Sequence, residues 1–130
     1  MQSIQCEIKH CYLHDVYNFP PSIDEFAINL LDACNYCLIE DNIIHNCNQG
    51  IFLNASDCNA FLYNYVFGNA KLNTGWIEPS FNCNHQAHGM INLWEGNIGE
   101  MWQSDGYHGS ASHQTIFRNW IHGFHPDPNH

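Results

Sequence analysis

A chain of 130 residues with 45% hydrophobic content is long enough for one domain around one core and too apolar to stay disordered. Lys9, Lys71 and Arg118 are its only basic residues against thirteen carboxylates, a formal charge of −10. That balance argues against nucleic acid, whose binding rests on Lys and Arg releasing counterions, and against an anionic membrane surface; no stretch approaches the ~18 consecutive apolar residues of a membrane span.

The opening residues, MQSIQCEIKH, have no charged n-region, apolar h-region or cleavage site, so no signal peptide is read in this chain. A weak first repeat runs through IQCEIKHCYLHDV, followed by YNFPPSIDE, a loop marked by Pro20 and Pro21. The stretches AINL and GIFL alternate as half-buried strands should, with Ile28 matching Ile51 and Leu30 matching Leu53.

The main signal is a repeated asparagine. Asn42, Asn64, Asn97 and Asn119 are spaced by 22, 33 and 22 residues, one period of 22 with one insert. Three residues before each mark stand Ile39, Phe61, Trp94 and Ile116; two residues after it stand Ile44, Val66, Gly99 and Ile121. In a continuous strand these two sets would face opposite sides, because side chains alternate. They share one interior only if the chain bends at the mark. Asn suits such a corner, tolerating left-handed backbone angles and bonding locally, and stacked Asn side chains can bond to each other.

Three short strands per period of about 22 residues predict an all-β fold, a parallel β-helix solenoid of about four coils. The rival leucine-rich horseshoe needs leucines at three fixed points before its Asn, and this chain holds Ile, Phe, Trp, Glu or Asp there. The period breaks over about 70–89, AKLNTGWIEPSFNCNHQAHG, which is expected to project as one long loop insertion. The last residues, GFHPDPNH, bring no capping element, so residues 1–130 read as a partial single domain, a piece of a longer protein. Seven cysteines are an odd set, expected to be mostly buried and unpaired.

NYCLIEDNIIHNCNQGIFLNASDCNAFLYNYVFGN resembles coils of the right-handed parallel β-helix, the pectin-lyase-like superfamily; HGMINLWEGNIG and DGYHGSASHQTIFRNWIHG are similar to poorly characterised bacterial members. The resemblance implies that fold over most of residues 25–123 and a polysaccharide partner in an extracellular or cell-surface setting. It leaves the activity open between lyase, glycoside hydrolase and a non-catalytic structural or adhesive solenoid of a surface or phage-tail protein. GYHGSAS is similar to the Gly-His-Gly-x-Ser stretch of polygalacturonase-like members, whose Asn-Thr-Asp, Asp-Asp and Arg-Ile-Lys motifs are absent here.

Reactive groups are densest in two neighbouring repeats. Glu95 and Asp105 are the candidate carboxylate pair, with His108 orienting or transferring a proton. Trp76, His85, His88, Tyr107 and His113 are candidate substrate contacts, Trp76 as a stacking platform. Cys34 and Cys37 form a single zinc-knuckle-like pair near the wall, which reads as packing, so no metal site is assigned. Calcium at exposed Asp and Asn turns stays open. Oligomeric state is left open.

Overall fold

The computed structural model describes residues 4–16, 25–69, 79–83, 89–104 and 106–123. Among these the chain is all β, fourteen short strands and no helix. In chain order they are β1 (Glu7–Lys9), β2 (Tyr12–His14), β3 (Phe26–Leu30), β4 (Leu38–Glu40), β5 (Ile43–His45), β6 (Gln49–Leu53), β7 (Ala60–Leu62), β8 (Tyr65–Phe67), β9 (Phe81–Cys83), β10 (Leu93–Glu95), β11 (Ile98–Gly99), β12 (Trp102–Ser104), β13 (Thr115–Phe117) and β14 (Trp120–Ile121).

Each strand pairs in parallel with the strand three elements further along. The first sheet runs β1-β4-β7-β10-β13, the second β2-β5-β8-β11-β14, and the third β3-β6-β9-β12. This repeat-like stacking is compatible with a parallel β-helix.

Registers match the two apolar columns read from the sequence. Ile39, Phe61, Trp94 and Ile116 are mutual partners in the first sheet, and Ile44 pairs with Val66 and Gly99 with Ile121 in the second. In the third sheet Ile28 pairs with Ile51 and Leu30 with Leu53, as the 23-residue offset predicts. In β4, β5, β7, β8 and β10 the middle residue is the buried one, so one apolar side chain per strand suffices. Phe61 and Trp94 stack at 3.9 Å between ring centroids with 12° between planes, and Phe81 and Trp102 meet Trp94 edge-on. The Trp94 indole N–H donates to Gln114 Oε1 at 3.0 Å, which allows this large ring to be fully buried.

The asparagine ladder is complete. Nδ2 of Asn42 donates to Oδ1 of Asn64 at 2.9 Å, Asn64 to Asn97 at 3.0 Å, and Asn97 to Asn119 at 2.9 Å. The same oxygens accept the backbone N–H of the preceding asparagine, and the second amide proton reaches the carbonyl of Ile8, Ile39, Phe61 or Trp94. The amides of the ladder are thereby satisfied, as burial demands.

Two expectations need correction. The left-handed bend is made by the residue before each asparagine: Asp41, Tyr63, Gly96 and Arg118 have φ between 52° and 68°, and His10, before the equivalent Cys11, has φ 54°. Asn supplies the hydrogen bonds and its neighbour supplies the turn. The stretch 70–89 is also not one projecting loop, because Phe81–Cys83 is a buried strand pairing with β6 and β12. Its apolar Phe81 and Cys83 carry the third wall across the insert; the rest of that stretch, apart from Pro79, Ser80 and Gly89, lies outside the described residues.

Cysteines are all free. Cys37, Cys47 and Cys83 are buried, Cys11, Cys34 and Cys58 half-buried, and Cys6 exposed, so the expectation of mostly buried thiols holds fully for three.

Candidate functional site

Because inner positions are filled by apolar and Asn side chains, chemistry is left to outward positions, the first and third residues of each three-residue strand. The three sheets differ there. In the third sheet β6 and β9 are buried along their whole length. In the first sheet Lys9 sits between Glu7 at 3.2 Å and Glu40 at 3.3 Å, and the Glu7 bond, ahead of that to Glu40, holds its ammonium above the usual lysine range.

The second sheet presents rings. Its first outward column is Tyr12, Ile43, Tyr65, Ile98 and Trp120, consecutive partners in parallel register. Tyr12 is 58% exposed, Tyr65 42% and Trp120 64%. Beside it His14, His45 and Phe67 stand in register, with His122 just beyond β14. Between the two columns Tyr12 stacks on His14 at 4.6 Å and Tyr65 on Phe67 at 4.7 Å, and Trp120 meets His122 tilted at 4.7 Å; within the second column His45 stacks on Phe67 at 4.4 Å. Such mutual stacking turns part of each ring face toward its neighbour and limits the rotamers of both.

Charge is sparse on this face. At one edge Asp15 lies 2.8 Å from His14 Nδ1 and accepts from Asn46 at 2.6 Å; the His14 bond, then that of Asn46, holds its carboxyl below the usual range. At another, Glu100 accepts the backbone N–H groups of Gly68 and Asn69. The described cations lie elsewhere: Lys9 is held by its two glutamates and Arg118 packs its guanidinium 4.6 Å from the Phe117 ring centroid; Lys71 is outside the described residues.

Of the residues singled out from sequence, Glu95, Tyr107, His108 and His113 are among the described residues. Glu95 is half-buried on the outer side of β10, with Leu62 and Phe117 as its in-register neighbours, so no second carboxylate flanks it there. Tyr107 and His108 follow β12, are exposed, and meet edge to face at 4.7 Å. His113 is an exposed corner residue with φ 53°, its Nδ1 2.9 Å from Ser112 Oγ. Asp105, Trp76, His85 and His88 lie outside the described residues. Among the described residues no group of three or more His, Cys, Asp or Glu side chains is placed to hold a metal ion.

Tyr12, His14, His45 and His122 are not among the residues singled out from sequence. The signal was present: each lies one or three residues after a corner position, at Cys11, Asn42, Asn64 or Asn119. No protein-family model, curated protein or solved structure matches the chain.

Proposed function

We propose that this chain is part of a right-handed parallel β-helix of about four coils, pectin-lyase-like in fold, that binds polysaccharide on the outer face of its second sheet. The observation that carries the reading is the exposed column of Tyr12, Tyr65 and Trp120 beside stacked histidines. Exposed rings offer apolar surface to pyranose C–H groups, while imidazoles and phenolic hydroxyls offer bonds to sugar hydroxyls. Alternate ring positions on a parallel sheet recur every two strands, about 10 Å, a length suited to an extended glycan rather than a single sugar.

With a formal charge of −10 and no Lys or Arg on the face among the described residues, the glycan that fits is neutral; a polyuronate would meet net repulsion. Binding is favoured over cleavage, because Glu95 has apolar in-register neighbours in place of a second carboxylate. An extracellular or cell-surface setting follows from a polysaccharide partner. A second reading, a structural or adhesive solenoid with no ligand on this face, is supported by the unbroken asparagine ladder.

Affinity electrophoresis through gels containing neutral β-linked glycans or polygalacturonate tests the proposal at neutral pH. Retardation by a neutral glycan, relieved by Trp120→Ala, is expected. Free migration in every gel supports the structural solenoid, and retardation by polygalacturonate alone overturns the charge argument.

A further inference from the structure

The first two repeats carry a cysteine at the same position, directly after a left-handed residue and before a strand of the first sheet. These are Gln5-Cys6 ahead of β1 and Tyr36-Cys37 ahead of β4, with φ of 61° and 59° at the left-handed residues. The pairing of Glu7 with Leu38 places Cys6 over Cys37, and Leu38 N–H donates to the Cys6 carbonyl at 2.9 Å. Neighbouring parallel strands lie about 4.8 Å apart, within the roughly 4.4–6.8 Å of Cα separation that a disulfide bridges. One repeat further on the position is Asn59, whose Oδ1 accepts the Cys37 N–H at 2.8 Å, so the thiol pair is unique to the first junction.

The two thiols differ in access. Cys6 is exposed, whereas Cys37 is 2% exposed and burial raises its thiol above the usual range. The Cys6 and Cys34 thiols both influence that of Cys37, and the Cys37 thiol donates to the Asn35 carbonyl at 3.6 Å. An oxidant from solution therefore meets Cys6 first, and the nearest group to intercept the oxidised sulfur is Cys37.

We propose that Cys6 and Cys37 form an oxidative modification site that clamps the first repeat to the second. Hydrogen peroxide converts the Cys6 thiol to a sulfenic acid and releases one water. The Cys37 sulfur then attacks the Cys6 sulfur, displacing the hydroxyl as a second water and leaving a disulfide. Two electrons from an external dithiol, such as dithiothreitol, return both thiols. The site lies on a different sheet from the aromatic face and does not depend on any glycan.

The full chain is titrated with hydrogen peroxide, its remaining thiols are blocked with N-ethylmaleimide, and its peptides are mapped without reduction. A Cys6–Cys37 cross-linked peptide that disappears with dithiothreitol, persists in Cys34→Ser and is absent in Cys6→Ser is the expected result. The oxidised chain also shows a higher thermal midpoint than the reduced one. Accumulation of Cys6 sulfinic acid with Cys37 still blocked by maleimide overturns the proposal, as does Cys6 joined to Cys34. Since Cys6 is exposed, Cys6→Ser keeps the fold, and Cys6→Ala serves as a second variant.

Discussion

At the scale of single residues, the stack rests on asparagines that spend every amide group on the strands above and below. Asn64 is buried, accepts from the N–H and Nδ2 of Asn42, and donates to Asn97 Oδ1 and the Ile39 carbonyl. Asn64→Ala strands several of these partners without water, and each unsatisfied group costs about 1–3 kcal/mol. A loss of about 3 kcal/mol or more in urea unfolding is expected, well beyond an exposed Asn→Ala change. The turn residue beside each ladder position is separately testable. Ile91 takes φ 57° with 61% of its side chain exposed, so a β-branched residue bears left-handed strain with little packing in return. Ile91→Asn is expected to stabilise the chain by about 1 kcal/mol in the same assay. The ladder was legible because Asn recurs at its positions. The bends were not: Gln5, Tyr36, Cys58, Ile91 and His113 make one set of equivalent turns with no shared chemistry.

Buried thiols add a pH dependence at this scale. Burial pushes Cys83 up to about 12 from an ordinary 9.0. Unfolded, the thiol ionises near the ordinary value while the folded protein keeps its proton, so the unfolded state binds fewer protons across that window. Stability therefore stays level below about pH 9 and falls between about pH 9 and 12. Denaturation midpoints across this range check it, with a shallower fall expected in Cys83→Ala.

At the scale of elements, three-residue strands work because each contributes one inward side chain and its neighbours in the sheet contribute the rest. Sizes must then compensate across walls. Gly99 occupies an inward position where the equivalent residues are Ile44, Val66 and Ile121, because Phe81 fills the space: a Cβ at Gly99 would lie 2.5 Å from Phe81 Cε2 and 2.9 Å from Ser80 Cβ. Gly99→Val is expected to destabilise by about 1–3 kcal/mol through overpacking, and Phe81→Leu in the same chain to recover part of that loss. Additive effects in this double-mutant cycle would contradict the contact. The first two walls were readable from columns of Ile, Phe and Val at fixed distances from Asn. β9 was not, since Phe81–Cys83 is short and follows Pro79 in a stretch where the 22-residue period fails. A strand held by its sheet neighbours needs little local signal of its own.

At the scale of the molecule, the three outer faces have separate characters that composition alone conceals. One is buried in its middle strands, one carries the Lys9 ion pairs with Glu95 among apolar neighbours, and one is lined with rings. Of the functional candidates drawn from clustering in the sequence, Glu95 lies on the outer side of the first sheet and His108 follows the third-sheet strand β12, while Asp105, Trp76, His85 and His88 lie outside the described residues. Tyr12, Tyr65 and Trp120, far apart in sequence, share one column because the strands stack in register. That column is the functional claim. Each ring contributes about 1 kcal/mol of stacking, about five-fold in Kd, so removing three is expected to weaken binding by roughly a hundred-fold. The direct measurement is calorimetric titration of a neutral β-linked glycan into the native chain and into Tyr12→Ala/Tyr65→Ala/Trp120→Ala, with circular dichroism confirming that both are folded. Saturable binding by the native chain and its loss in the folded triple variant is the predicted result; equal affinity in both would contradict it.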